Sequence, residues 1–166
     1  MSRPKSHAGQ MMYNGHIASM EKRPLILLAD NDASFAQELS GRLTGIGCRV
    51  EIAQDGNIAA QKARALRPDL MLTEVHLPAR DGVSVILDLK TDPLTRGLRI
   101  FFLTKLGDIR PGGLDVDQLA AQQVGAEGYI RKTSSLERII ASVRKYLRSA
   151  QEAQNFTGLP EGVWLQ

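Results

Sequence analysis

A chain of 166 residues with 43% hydrophobic and 23% charged residues is long enough for one domain with a real core and short appendages. No apolar run reaches the roughly 20 residues of a membrane span, and the basic opening "MSRPKSHAGQMMYNGHIASMEKRP" lacks the apolar stretch of a secretory signal. The single cysteine, Cys48, excludes an internal disulfide and a cysteine-built zinc site, and a net charge of +3 is only mildly basic, so a cytoplasmic protein is expected.

Residues 1–22 show no hydrophobic periodicity and read as a flexible extension, with a natural domain start near Met20. From Arg23 to Arg148 strand and helix patterns alternate. "PLILLAD" (24–30) is a continuous apolar run ending in acid, as expected of a parallel strand covered on both faces. Asp32 is placed to cap a helix in which Phe35, Leu39 and Leu43 recur at helical spacing, with Gly45 and Gly47 as stop signals. "CRVEIAQDG" predicts a short strand and a turn at Asp55-Gly56, and the next helix, over 57–66, must end before Pro68.

The third strand, in "DLMLTEVHLPARDG" (69–82), runs through Leu70, Met71 and Leu72 and stops at Glu74, after which Pro78 and Asp81-Gly82 break the chain. A helix over 83–91 and a turn at Asp92-Pro93 lead to the fourth strand, "LRIFFLT" (98–104). The Gly-rich "RPGG" that follows is expected to be loop, and "EGYIRK" (127–132) is the fifth strand. The last helix opens with "SSLE", where Ser134 and Glu137 have capping-box spacing, and its apolar stripe is Leu136, Ile139, Ile140, Val143 and Leu147. Five βα units joined by right-handed crossovers wind into a doubly wound parallel sheet with helices on both faces, an α/β fold. Residues 149–166 read as a C-terminal tail or linker, in which Trp164 either frays with the chain or docks as an aromatic anchor.

Four strand tips end in polar groups: Asp30 with Asn31 and Asp32, then Glu74, Thr104 and Lys132. In a doubly wound sheet these C-terminal tips converge on one crevice. Singly, each has a plain structural explanation: a strand-end cap for Asp30, a structural hydroxyl for Thr104, a rim position for His76. From Arg131 to Arg148 six Lys or Arg face Glu137 alone, but no aromatics alternate with them, and a solvated helix face is the simpler reading than a nucleic-acid patch.

Across residues 23–148 the chain resembles the receiver domain of two-component response regulators. The resemblance implies a flavodoxin-like five-stranded sheet of order 2-1-3-4-5. In that family an acidic pair after the first strand helps hold Mg²⁺, and an aspartate ending the third strand accepts a phosphoryl group. A hydroxyl after the fourth strand and a lysine after the fifth bind the phosphoryl oxygens. Asp30, Thr104 and Lys132 match these positions, Tyr129 matches the aromatic switch residue, and "LPARDG" resembles the loop after the acceptor, Pro78 and Gly82 included.

The departures from the family pattern are specific. Glu74 stands at the acceptor position and Asn31 at the second acid, so the metal set would be Asp30, Asn31 and Glu74, weakened or lost. Thr133 replaces a proline, and Lys105 stands where a small side chain is common. Glutamate reaches about 1.3–1.5 Å further than aspartate, which puts its carboxylate near where phosphoryl oxygens would lie. A misplacement of about 1 Å can cost on the order of 100-fold in rate, and a neutral Asn31 removes charge from a site for a hard cation.

The expected function is therefore an atypical receiver without enzymatic activity. It would act as a phosphorylation-independent interaction module with Glu74 filling the phosphoryl pocket, and Mg²⁺ as a weak ligand at most. The alternative is a working receiver that takes a phosphoryl group from a histidine kinase on Glu74 or a nearby acid such as Asp81. A flavin-binding protein of the same strand order would need a phosphate-cradling loop where "ADNDAS" is acidic. Expected partners are a histidine kinase, a regulator or an output protein on the face of Tyr129 and the last helix, or a second copy of the chain. Neither membrane nor nucleic acid is an expected partner.

Overall fold

Strand β1 (Leu25–Ala29) is buried along its whole length, as five apolar residues in a row require. The structure, a computed structural model, describes residues 23–104, 121–132 and 134–157. After β1 come α1 (Ala33–Gly45), β2 (Arg49–Ala53), α2 (Gly56–Leu66), β3 (Leu70–Glu74), α3 (Gly82–Thr91), β4 (Ile100–Thr104), β5 (Gly128–Arg131) and α4 (Leu136–Thr157). All neighbouring strands pair in parallel, in the order β2-β1-β3-β4-β5, the flavodoxin-like arrangement. Lys105, the "RPGG" stretch, Thr133 and Trp164 lie outside the described residues.

Side chains alternate across each strand, so the sheet has two cores. Ile26, Leu28, Leu70, Leu72, Phe101 and Leu103 face α1 and α4, meeting Leu39, Leu43, Ile139 and Val143. Leu27, Ala29, Met71, Ile100 and Phe102 face the other way, against α2 and α3. The α2 contribution is small side chains, Ala59, Ala60 and Ala63, which let that helix lie close to the sheet. Each fully buried leucine or isoleucine contributes about 1.5–3 kcal/mol. No helix among the described residues is long and apolar enough to cross a membrane.

Three helices follow the C-terminal ends of β1, β2 and β3, each capped by an aspartate. Asp32 accepts from the Phe35 amide, Asp55 from Ile58 and Asp81 from Ser84. Such caps contribute about 0.5–2 kcal/mol apiece. The cap of α4 differs from the expected Ser134. The Ser134 amide is still in the preceding turn, donating to the Arg131 carbonyl, so the helix begins one residue later and Ser135 Oγ accepts from the Arg138 amide. Glu137 then sits too early for a capping box. Hydrogen bonds from its own backbone and from Ser135 instead hold its carboxyl below the ordinary value. The helix also runs on past residue 148, to Thr157.

Candidate functional site

Parallel pairing brings the tips of β1, β3, β4 and β5 side by side at one edge of the sheet. Asp30 extends β1 by one residue, its amide donating to the Ala53 carbonyl, and its side chain is fully buried. One carboxylate oxygen, Oδ1, accepts from the Asp32 amide at 2.9 Å. Glu74 closes β3 and Thr104 closes β4, at 3% and 6% exposure. Lys132 lies one residue past β5, placed there by its amide donating to the Thr104 carbonyl at 2.8 Å.

The Lys132 ammonium lies between the two carboxylates, 2.6 Å from Asp30 Oδ2 and 3.1 Å from Glu74 Oε1, with all three side chains at least nine-tenths buried. The Asp30 contact is short but poorly aligned for a hydrogen bond, so its attraction is that of neighbouring point charges. The Phe35 ring lies 4.9 Å from the same ammonium, a cation–π contact from α1 that the sequence did not single out. Thr104 Oγ1 is buried with no hydrogen-bond partner among the described residues. Such a group costs about 1–3 kcal/mol, and orphaned buried polar atoms are uncommon enough to mark functional sites.

The structure thus gathers Asp30, Glu74, Thr104 and Lys132, and leaves the other candidates apart. Asn31 is exposed beside the pocket, and His76 is exposed on the β3–α3 segment. Tyr129 is half-buried on the α2 and α3 side of the sheet, with the Arg131 guanidinium 5.9 Å from its ring centre. Asp32, which could have added a carboxylate, is committed as the α1 cap.

The family resemblance calls for a Mg²⁺ site, and the donors here do not fit one. Mg²⁺ takes near-octahedral oxygen ligands, carboxylates foremost. Asp30 has one oxygen tied to backbone and the other against an ammonium, the same ammonium pairs with Glu74, and Asn31 offers a neutral amide. No group of three His, Cys, Asp or Glu among the described residues converges on a metal position. What the cluster can do as it stands is hold a buried ion triad.

A second polar cluster went unrecognised in the sequence. Arg64 on α2 reaches Asp88 at 2.7 Å and Asp92 at 3.0 Å, and Arg80, in the β3–α3 segment, reaches the same Asp88 oxygen at 2.7 Å. The visible signal was the like-charge pair Asp88 and Asp92, one turn apart. Two acids at the C-terminal end of α3, Asp92 being its C-cap, are disfavoured by the helix dipole unless cations lie beside them.

Comparison with known proteins agrees with this fold. The response regulator receiver domain family matches residues 26–144. The chain is 36% identical over 126 residues to the DNA-binding response regulator MtrA of Mycolicibacterium paratuberculosis, covering 76% of this chain and 52% of that protein. It is 33% identical over 125 residues to the DNA-binding dual master transcriptional regulator RpaA of Synechocystis, covering 75% and 49%. The chain therefore spans about half the length of the curated relatives it matches. Among solved structures, the BeF3-activated N-terminal receiver domain of Klebsiella pneumoniae RstA superposes with a TM-score of 0.64 at 25% identity, covering 75% of this chain and 98% of that one. The chemotaxis response regulator CheY4 of Vibrio cholerae shares the fold, with a TM-score of 0.67 at 22% identity and coverage of 75% and 99%.

Proposed function

The chain belongs to the response regulator receiver domain family, and from that premise we propose that it is an atypical receiver in two-component signalling. It works as a phosphorylation-independent interaction module, with Glu74 filling the phosphoryl pocket. The observation that carries this reading is the buried Glu74 carboxylate, 3.1 Å from the Lys132 ammonium at the tip of the central strand. A carboxylate has two oxygens and about one charge, against three oxygens and close to two charges for a phosphoryl group. The mimicry is therefore partial, and it biases the switch without saturating it. An ion pair that favours one state by only about 1.4 kcal/mol still moves a two-state population about tenfold.

Three further parts of the reading follow. Mg²⁺ binds more weakly than to a site rich in free carboxylates, because Asn31 is neutral and the Asp30 oxygens are engaged. The partner is a histidine kinase, a regulator or an output protein, in the cytoplasm. It docks along the β5 edge of the sheet, with Tyr129 on one side of that edge and α4 on the other, where Arg138, Arg144, Lys145 and Arg148 are exposed. The DNA-binding activity named for the relatives is a property of proteins of which the matched segment is only 52% and 49%, and it is not carried over.

Glu74→Gln tests the reading, since it removes the charge and keeps the shape. Nuclear magnetic resonance spectra of wild type and variant should differ at Thr104 and also at Tyr129, which lies outside the ion triad. A Tyr129 signal that stays in place while Thr104 moves would mean that the pocket is vestigial and uncoupled from the switch.

A further inference from the structure

The segment between β3 and α3 is held by backbone contacts at Pro78 and Gly82, which the family loop shares, and by side-chain contacts of Arg80, which none of the family positions accounts for. Ala79 in it adopts a left-handed backbone, φ +63, a conformation that a residue with a side chain keeps only when its surroundings enforce it. Backbone closes on the segment from two sides. The Gly56 amide at the start of α2 donates to the Pro78 carbonyl at 3.1 Å, and the Gly82 amide at the start of α3 donates to the Val75 carbonyl at 2.8 Å. Both approaches require glycine: a Cβ on Gly56 would lie 1.8 Å from the Arg80 carbonyl oxygen, and one on Gly82 would lie 2.1 Å from that of Glu74.

Arg80 supplies the side-chain contacts. Its guanidinium donates to Asp88 Oδ2 at 2.7 Å and to the Ser84 carbonyl at 3.0 Å, which pins the segment to the first two turns of α3. Asp88 is in turn held by Arg64 of α2 at 2.7 Å, so one carboxylate ties the segment to both helices. The Asp88–Arg80 and Asp88–Arg64 pairs are about one-third exposed, so each is modest and together they act as a network.

We propose that Arg80 is a positioning residue. Its guanidinium latches the β3–α3 segment onto α2 and α3, and through Gly82 keeps the Glu74 backbone, and so its carboxylate, in place over Lys132. The proposal rests on Glu74 as the group that fills the pocket, but the latch itself is measured separately. The apolar anchorage of the segment lies in its first half, where Val75 and Leu77 pack on the core, while Pro78, Ala79 and Asp81 are exposed. The left-handed Ala79 is held by backbone, the Arg80 amide donating to the Pro78 carbonyl across it at 2.6 Å, and the guanidinium fixes that turn to the helices.

Amide hydrogen exchange on the full chain reads the latch at Gly56 and Gly82, with the Met71 amide, which donates to the Arg99 carbonyl in the sheet, as the internal reference. Arg80→Ala should lower protection at both glycines by about tenfold, the effect of losing an ion pair and a charged hydrogen bond at a partly exposed site, and leave Met71 unchanged. Arg80→Lys should recover part of that loss, and Asp88→Asn, which keeps the shape, should show a smaller loss at the same two amides. The Glu74 side-chain carboxyl signal should move in Arg80→Ala and move back in Arg80→Lys. Glycine protection within twofold of wild type overturns the latch, as does a loss shared equally by Met71. Loss of glycine protection with an unmoved Glu74 signal overturns the positioning role. These outcomes are distinct from the Tyr129 test of the pocket, so failure of one reading does not pass for failure of the other.

Discussion

Replacing Lys132 by methionine keeps most of the side-chain volume and removes the ammonium that Asp30 and Glu74 share. At 2.6 and 3.1 Å the two attractions are roughly 6 and 5 kcal/mol at an effective dielectric of about 20. Desolvation of three buried ions, several kcal/mol for each, offsets most of that, so the assembled triad contributes little net stability. Its loss is costly for a different reason: Asp30, fully buried, keeps its desolvation penalty with the compensating charge gone. Lys132→Met should therefore destabilise the fold by about 3–5 kcal/mol. In urea unfolding followed by circular dichroism, with a slope of about 2 kcal/mol per molar, the midpoint should fall by roughly 2 M. Adding Asp30→Asn should return about 1–3 kcal/mol of the loss, because it removes the orphaned charge. A Lys132→Met midpoint within 0.5 M of wild type (about 1 kcal/mol at that slope), or a second substitution that deepens the loss, would refute the triad as the electrostatic centre of the pocket.

Three other outcomes are expected. Gly82→Ala puts a Cβ 2.1 Å from the Glu74 carbonyl oxygen and should cost about 3 kcal/mol in thermal or urea unfolding, whereas Gly41→Ala, with nothing within 4 Å, should stabilise α1 by about 0.5–1 kcal/mol; equal effects would contradict the close approach. Hydrogen bonds from Arg64 and then Arg80 hold the Asp88 carboxyl below its ordinary value, so its contribution is present above about pH 4 and lost as pH falls further, through the folded-state value. Its carbon resonance should titrate below the ordinary aspartate range, and Arg64→Ala should raise the midpoint. Burial pushes the Cys48 thiol up, against the lowering influence of Arg23 and Arg144, so native protein should be alkylated by iodoacetamide far more slowly than protein in urea; matching rates would place Cys48 at the surface.

Much of this fold was legible because its signals are local. The run "PLILLAD", the cap at Asp32, the turn at Asp55-Gly56 and the break at Pro68 each act within a few residues, and β1, α1 and α2 lie close to where those signals put them. Ser134 misled because a turn and a helix start compete for the same amide, and its hydrogen bond to Arg131 decides the matter in favour of Ser135. The pocket was legible because strand order carries the tips of β1, β3, β4 and β5 to one edge, so that spacing along the chain predicts proximity. The distances inside it were not: that Asp30 lies closer to Lys132 than Glu74 does depends on how the two carboxylates lean at the sheet edge. The Arg64–Asp88–Arg80 cluster escaped because it joins residues from two helices and a loop, and no periodicity along the chain reports such a meeting.

The central claim, that the chain signals without a phosphoryl group, is tested most directly by the intact mass of the protein after incubation with acetyl phosphate and Mg²⁺. Wild type should keep its mass. Glu74→Asp combined with Asn31→Asp should gain one phosphoryl group in part of the population, because Asp30, Thr104 and Lys132 already surround the position. A stable phosphoryl group on wild-type Glu74 or Asp81 would contradict the account and make this chain a working phosphoacceptor.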